Sequence, residues 1–138
     1  MAELFADTSG WGNLVDANQP FHSLTANIYR KSRQQAVIVV TTNYIVAELI
    51  ALLTSPLKIS RPNIIAFIDG LKSSPYVKVI HVDNSVDQDA WQLLKTRLDK
   101  DWSLVDCASF VVMQQRGISN ALTSDHHFEQ AGFVRLLK

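Results

Sequence analysis

Short uninterrupted apolar runs alternate along this chain with longer stretches in which apolar residues recur every three or four positions. The runs are Leu4 to Ala6, the Val-Ile-Val-Val stretch within Ala36 to Thr42, Val77 to Val82, Ala121 to Thr123 and Phe133 to Leu136. Apolar segments this short predict strands covered on both faces. Helical spacing predicts helices from Pro20 to about Gln35, from Tyr44 to Leu53 with Asn43 as cap, and from Arg61 to Ser74 with Pro62 in its first turn. It predicts further helices over Asp83 to Lys100, where Val86, Ala90, Leu93, Leu94 and Leu98 share a face, and over Ser103 to Arg116, closed by Gly117. A short helix follows from His127 to Ala131, and Asp7-Thr8-Ser9-Gly10 reads as a turn after the first strand. Buried strands alternating with helices predict an α/β fold, a three-layer α/β/α sandwich around a central, mostly parallel sheet. In such sheets ligands bind outside the carboxyl ends of the strands.

At 138 residues the chain has the length of one domain, predicted to span 1–138. Its 47% hydrophobic and 19% charged residues fit an ordered globular protein rather than a disordered one. Lys plus Arg and Asp plus Glu both number 13, so overall charge supplies no pull toward nucleic acid or anionic membrane. Arg30, Lys31 and Arg33, and again Lys95, Arg97 and Lys100, form local basic groups of the kind that solvated helix faces carry. A single cysteine, Cys107, excludes an intrachain disulfide and a cysteine-rich zinc site. No apolar stretch approaches the roughly 20 residues that span a bilayer, and the amino terminus carries an acid where a secretory leader is basic. A cytoplasmic protein with no membrane partner is expected.

Against this background four acids stand out because each lies in apolar or turn-like surroundings: Asp7, Glu48, Asp106 and Asp125. An isolated charge is costly to remove from water, so such groups are protonated, paired or bound to a cation. Converging carboxylates would suit a hard divalent ion. Each acid also has a plainer role. Asp7 and Asp125 follow strands and would serve as turn or helix caps, and Ser103-x-x-Asp106 matches a capping box. Glu48 is the hardest to explain locally, because Ile45, Leu49 and Leu52 lie at its helical neighbour positions and the whole helix reads as buried. A salt bridge is its alternative. Asp101 has two readings, a helix cap or a further carboxylate of the same site.

Other chemistries lack their motifs: there is no glycine-rich phosphate loop, no Gly-x-Ser-x-Gly elbow and no His-Glu-x-x-His helix. The adjacent pair His126-His127 reads as helix surface, with His127 a candidate for phosphate contact. Cys107 and the tryptophans Trp11, Trp91 and Trp102 read as packing groups. A dehalogenase-type phosphatase would need Asp-x-Asp after the first strand, and a response receiver an acidic pair there, whereas this chain has Asp7-Thr8-Ser9.

Asp7-Thr8-Ser9 after a strand, Glu48 on an apolar helix, Ser103-Leu104-Val105-Asp106 opening another, and Thr123-Ser124-Asp125-His126-His127-Phe128 after a late strand together resemble the PIN domain family, the nuclease fold of many VapC-type toxins. The resemblance runs the whole length of the chain. It implies a ribonuclease in which Asp7, Glu48, Asp106 and Asp125 bind Mg2+ or Mn2+ and carry catalysis, while Thr8, Ser9, Ser103 and Thr123 orient carboxylates or water. Asp101 departs from the pattern and leaves the number of site carboxylates open. The resemblance further implies an RNA substrate, a small antitoxin protein and a homodimer. The alternative is a PIN-like domain that binds RNA or a protein without cutting.

Overall fold

The computed structural model describes residues 2–138. Five strands, β1 (Glu3–Ala6), β2 (Ile38–Thr42), β3 (Val77–Ile80), β4 (Asn120–Leu122) and β5 (Val134–Arg135), form one sheet in the order β3-β2-β1-β4-β5. Every pairing in it is parallel, so the expected mostly parallel sheet is wholly so. Phe5, in the central strand, stands opposite both Val40 and Ala121. Helices supply each crossover: α1 (Thr8–Val15), α2 (His22–Gln34), α3 (Asn43–Thr54), α4 (Arg61–Ser73), α5 (Asn84–Thr96), α6 (Leu104–Arg116) and α7 (His126–Gln130). The core takes Phe5, Val39, Val40, Ala121 and Leu122 from the sheet, with Trp11, Ile45, Leu49, Met113 and Phe128 from the helices. The chain is therefore an α/β protein with a parallel central sheet.

Strands β2 and β3 lie on one side of β1 while β4 and β5 lie on the other, so the order switches between β1 and β4. Loops leaving two such strands diverge and open a crevice at their carboxyl ends. Asp7 leaves β1 and Thr123 to Asp125 leave β4 at that crevice.

Several local expectations change. Asp7 to Gly10 is the cap and first turn of α1 rather than a loop: the Asp7 side chain accepts from the Gly10 N–H, and the two glycines hide the helical signal. Gly10 is required by contact, since a Cβ there would lie 2.1 Å from the Leu122 carbonyl oxygen. Its absence lets α1 lie directly against the end of β4. Thr42, not Asn43, caps α3, and the Asn43 side chain instead accepts from the Val82 N–H at 2.7 Å. Helix α5 stops at Thr96, because the Arg97 guanidinium engages Asp99 and lies over the Trp102 ring, which turns the chain away and leaves Leu98 exposed. Trp11 and Trp102 pack inside as expected, but Trp91 stands half exposed on α5. Cys107 is buried, and burial pushes its thiol up to about 11, which suits an inert core residue. Among the described residues no helix is long and apolar enough to cross a membrane.

Candidate active site

Asp7 is buried, with 7% of its surface exposed, and both carboxyl oxygens are engaged. Oδ1 accepts from the Gly10 N–H at 2.9 Å and from the Ser9 hydroxyl at 2.7 Å, while Oδ2 accepts from Thr123 at 2.6 Å. Burial pushes this carboxyl up to about 6. The hydrogen bonds from Thr123, Gly10 and Ser9 oppose that rise and the nearby Asp125 carboxylate adds to it. A buried acid that gains little from being charged alone is a group whose ionised form a cation would favour.

Thr123 joins the two strand ends. Wholly buried after β4, it donates to Asp7 and accepts from the Asp125 N–H at 3.0 Å, so one hydroxyl spans 116 residues of sequence. Ser9 makes a second tie by accepting from the Ser124 N–H at 2.9 Å. Asp125 caps α7 through the His127 N–H, and that helix is held by Phe128, buried against Phe5 and Phe110. Behind the loop an Arg135 guanidinium N–H reaches the Ser124 carbonyl at 3.2 Å.

Glu48 departs from expectation. Helix α3 buries Ile45, Val46, Leu49 and Leu53, yet Ala47, Glu48 and Ala51 face outward and Glu48 is exposed. The flanking residues at 47 and 51 are alanines, too small to cover it, so a residue beside an apolar stripe is left open to water. What anchors Glu48 is Thr8, whose hydroxyl donates to its Oε1. Thr8 is thus the neighbour of one acid and the hydrogen-bond partner of another.

Asp106 forms the expected capping box: its carboxylate accepts from the Ser103 N–H at 3.1 Å, while Ser103 Oγ accepts from the Asp106 N–H at 3.0 Å. The box is not its whole role. Asp106 Oδ2 also lies 3.0 Å from His127 Nδ1, which is 3.4 Å from Asp125 Oδ1. His127 is therefore a member of the cluster and not simple helix surface, whereas His126 is exposed. Sequence reasoning missed it because the contact needs the starts of α6 and α7 side by side. A readable signal did exist: a helical side chain leans back toward the amino terminus, over the cap two residues before it. Asp125, His126 and His127 bring ligand atoms within 4.8 Å of one another; Asp7 joins them through the Thr123 hydroxyl and Asp106 through the His127 imidazole, while Glu48 is tied to Thr8, the residue next to Asp7 in the chain. Ser103 rather than Asp101 caps α6, and Asp101 is exposed, with no hydrogen bond or ion pair to these groups among the described residues.

A parallel sheet with oxygen donors gathered at its switch point, on helices that begin there, is the arrangement of a PIN nuclease. A model of the PIN domain matches residues 4–134, and the chain belongs to that family. Over 133 residues it is 30% identical to the 23S rRNA-specific endonuclease VapC20 of Mycobacterium tuberculosis, covering 96% of this chain and 97% of that protein. The crystal structure of VapC20, described as a sarcin-ricin-loop-cleaving toxin, superimposes with a TM-score of 0.86 at 30% identity. That likeness covers 98% of this chain and 99% of VapC20.

Proposed function

We propose that this chain is a metal-dependent endoribonuclease that hydrolyses RNA phosphodiester bonds as the toxin of a toxin-antitoxin pair. The observation that carries the reading is the gathering of the four acids at the switch point: Asp7, Thr123, Asp125, His127 and Asp106 follow one another by side-chain and backbone contacts, and Glu48 is bonded to Thr8, the chain neighbour of Asp7. Bound there, Mg2+ or Mn2+ would neutralise the scissile phosphate and acidify the attacking water. Asp7, Glu48, Asp106 and Asp125 are the residues we assign to hold the ion. All are oxygen donors, and Asp7 in particular is a buried acid whose charge the ion would offset. Thr8, Ser9, Ser103 and Thr123 fix where those oxygens point.

VapC20 supplies the candidate substrate, a ribosomal RNA loop whose unpaired bases can be presented to a crevice. A cytoplasmic site of action, a small antitoxin and a homodimer complete the proposal. The test is cleavage of a labelled sarcin-ricin-loop RNA, a transfer RNA and an unstructured RNA in magnesium, manganese or EDTA, with Glu48→Gln as the control. Glu48 is exposed, so its amide variant retains the fold. Cutting that needs metal and vanishes in Glu48→Gln is expected. Cutting that persists in EDTA or in Glu48→Gln overturns the reading, and no cutting of any RNA returns the chain to the binding alternative.

A further inference from the structure

His127 lies between two of these acids, and the metal-binding reading leaves it without a task. Asp106 and Asp125 sit on separate helices, and among the described residues no hydrogen bond joins them directly. The imidazole nitrogen between them is their connection, 3.0 Å from Asp106 Oδ2 and 3.4 Å from Asp125 Oδ1. Two carboxylates held close repel, and a donor between them offsets that repulsion.

The contacts divide each carboxylate in the same way. Asp106 Oδ2 accepts from the Ser103 N–H and faces the imidazole, leaving Oδ1 without a hydrogen-bond partner among the described residues. Asp125 Oδ1 accepts from the His127 N–H and faces the same ring, leaving Oδ2 without one. Each acid is thus tied through one oxygen and available through the other. The ring itself is only 20% exposed, and the next residue, Phe128, is wholly buried, so its place is fixed by packing.

We propose that His127 is a positioning residue. By holding Asp106 through Nδ1 and Asp125 through its own backbone N–H, with Nδ1 also 3.4 Å from Asp125 Oδ1, it sets the orientation in which their remaining oxygens are offered to a divalent ion. The inference rests on the metal-binding reading above, and it assigns His127 to the carboxylates rather than to the ion or the RNA phosphate.

The experiment is titration of full-length protein with Mn2+, followed by electron paramagnetic resonance, for wild type, His127→Ala, His127→Asn and, as a control outside the cluster, His81→Ala. Partners that orient metal ligands are worth about 10- to 100-fold in affinity. His127→Ala is expected to weaken Mn2+ binding by that factor, and His127→Asn, whose amide N–H can stand in for the Nδ1 donor, to recover most of it. His81→Ala, which removes an exposed imidazole outside the cluster, is expected to bind as wild type does. Spin-echo spectra of wild type with Mn2+ bound should show no imidazole nitrogen coupled to the ion. Unchanged affinity in His127→Ala, an Asn variant no better than Ala, or nitrogen coupling in wild type overturns the proposal while leaving the metal site intact. A wild-type protein that binds no Mn2+ overturns both. Should His127→Ala fail to fold, the Asn variant and the wild-type spin-echo spectrum still decide.

Discussion

Asp7 and Glu48 are linked through a single threonine, yet their surroundings are opposite. Asp7 is buried, with three hydrogen-bond donors on its two oxygens and a carboxyl pushed up to about 6. Glu48 is exposed on α3 and receives one hydrogen bond, from Thr8. Burial fixes a carboxylate's geometry at the cost of making its charge unfavourable, whereas exposure leaves the charge easy to carry and the side chain free to adjust. The site is thus a buried anchor at the strand ends faced by an exposed arm. A cation would suit both, offsetting the charge of one and ordering the other.

Substitutions can break that contrast, and cleavage should feel them most. Asp7→Asn and Glu48→Gln should each lower cleavage by about 10^3-fold or more, since ion-based charge stabilisation is worth several kcal/mol. Stability should separate the same two acids. The Asp7 carboxyl rises from 3.8 to about 6, so the folded state holds a proton that the unfolded chain has released between those values. Stability contributed by Asp7 is thus full below pH 4 and falls as pH climbs through about 6, by about 3 kcal/mol at 1.36 kcal/mol per pH unit. Chemical denaturation in EDTA across that window should show the slope in wild type and lose it in Asp7→Asn, and manganese should restore stability at neutral pH.

The two hydroxyls that serve the anchor and the arm sharpen the comparison further. Thr123→Val leaves Asp7 Oδ2 and the Asp125 N–H unpaired in a buried place and should cost about 2 kcal/mol in urea melts. Thr8→Val removes the one bond to an exposed acid and should cost under about 1 kcal/mol, appearing mainly as weaker metal dependence of cleavage. Asp101→Asn should be the smallest change, within about 0.5 kcal/mol and with cleavage unaltered, because its side chain is exposed and touches none of the cluster.

The sheet and most helices were legible because their apolar periods are unbroken: Val39 and Val40 are wholly buried where the strand run predicts, and Pro62 and Gly117 mark helix ends as expected. Helix α1 was not legible, since Gly10 and Gly12 answer to contacts with Leu122 and Leu52 that only the folded chain makes. Leu98 fitted a helical period yet ended outside it, because side-chain contacts of Arg97 overrode propensity. The positions of the four acids could be read as candidates from strand ends and helix starts. Their partners could not: the bonds from Thr8 to Glu48 and from His127 to Asp106 cross between elements whose adjacency is a property of the sheet order.

Gly10 carries one more consequence. The space between α1 and the Leu122 carbonyl admits a hydrogen atom but not a methyl group, and it sets how closely the helix that follows Asp7 lies on the end of the strand that leads to Asp125. A related gene with alanine at this position would retain every acid and still hold its anchor ajar. Counting carboxylates in a genome would score that gene as intact, whereas inspecting this one small residue would mark its site as displaced.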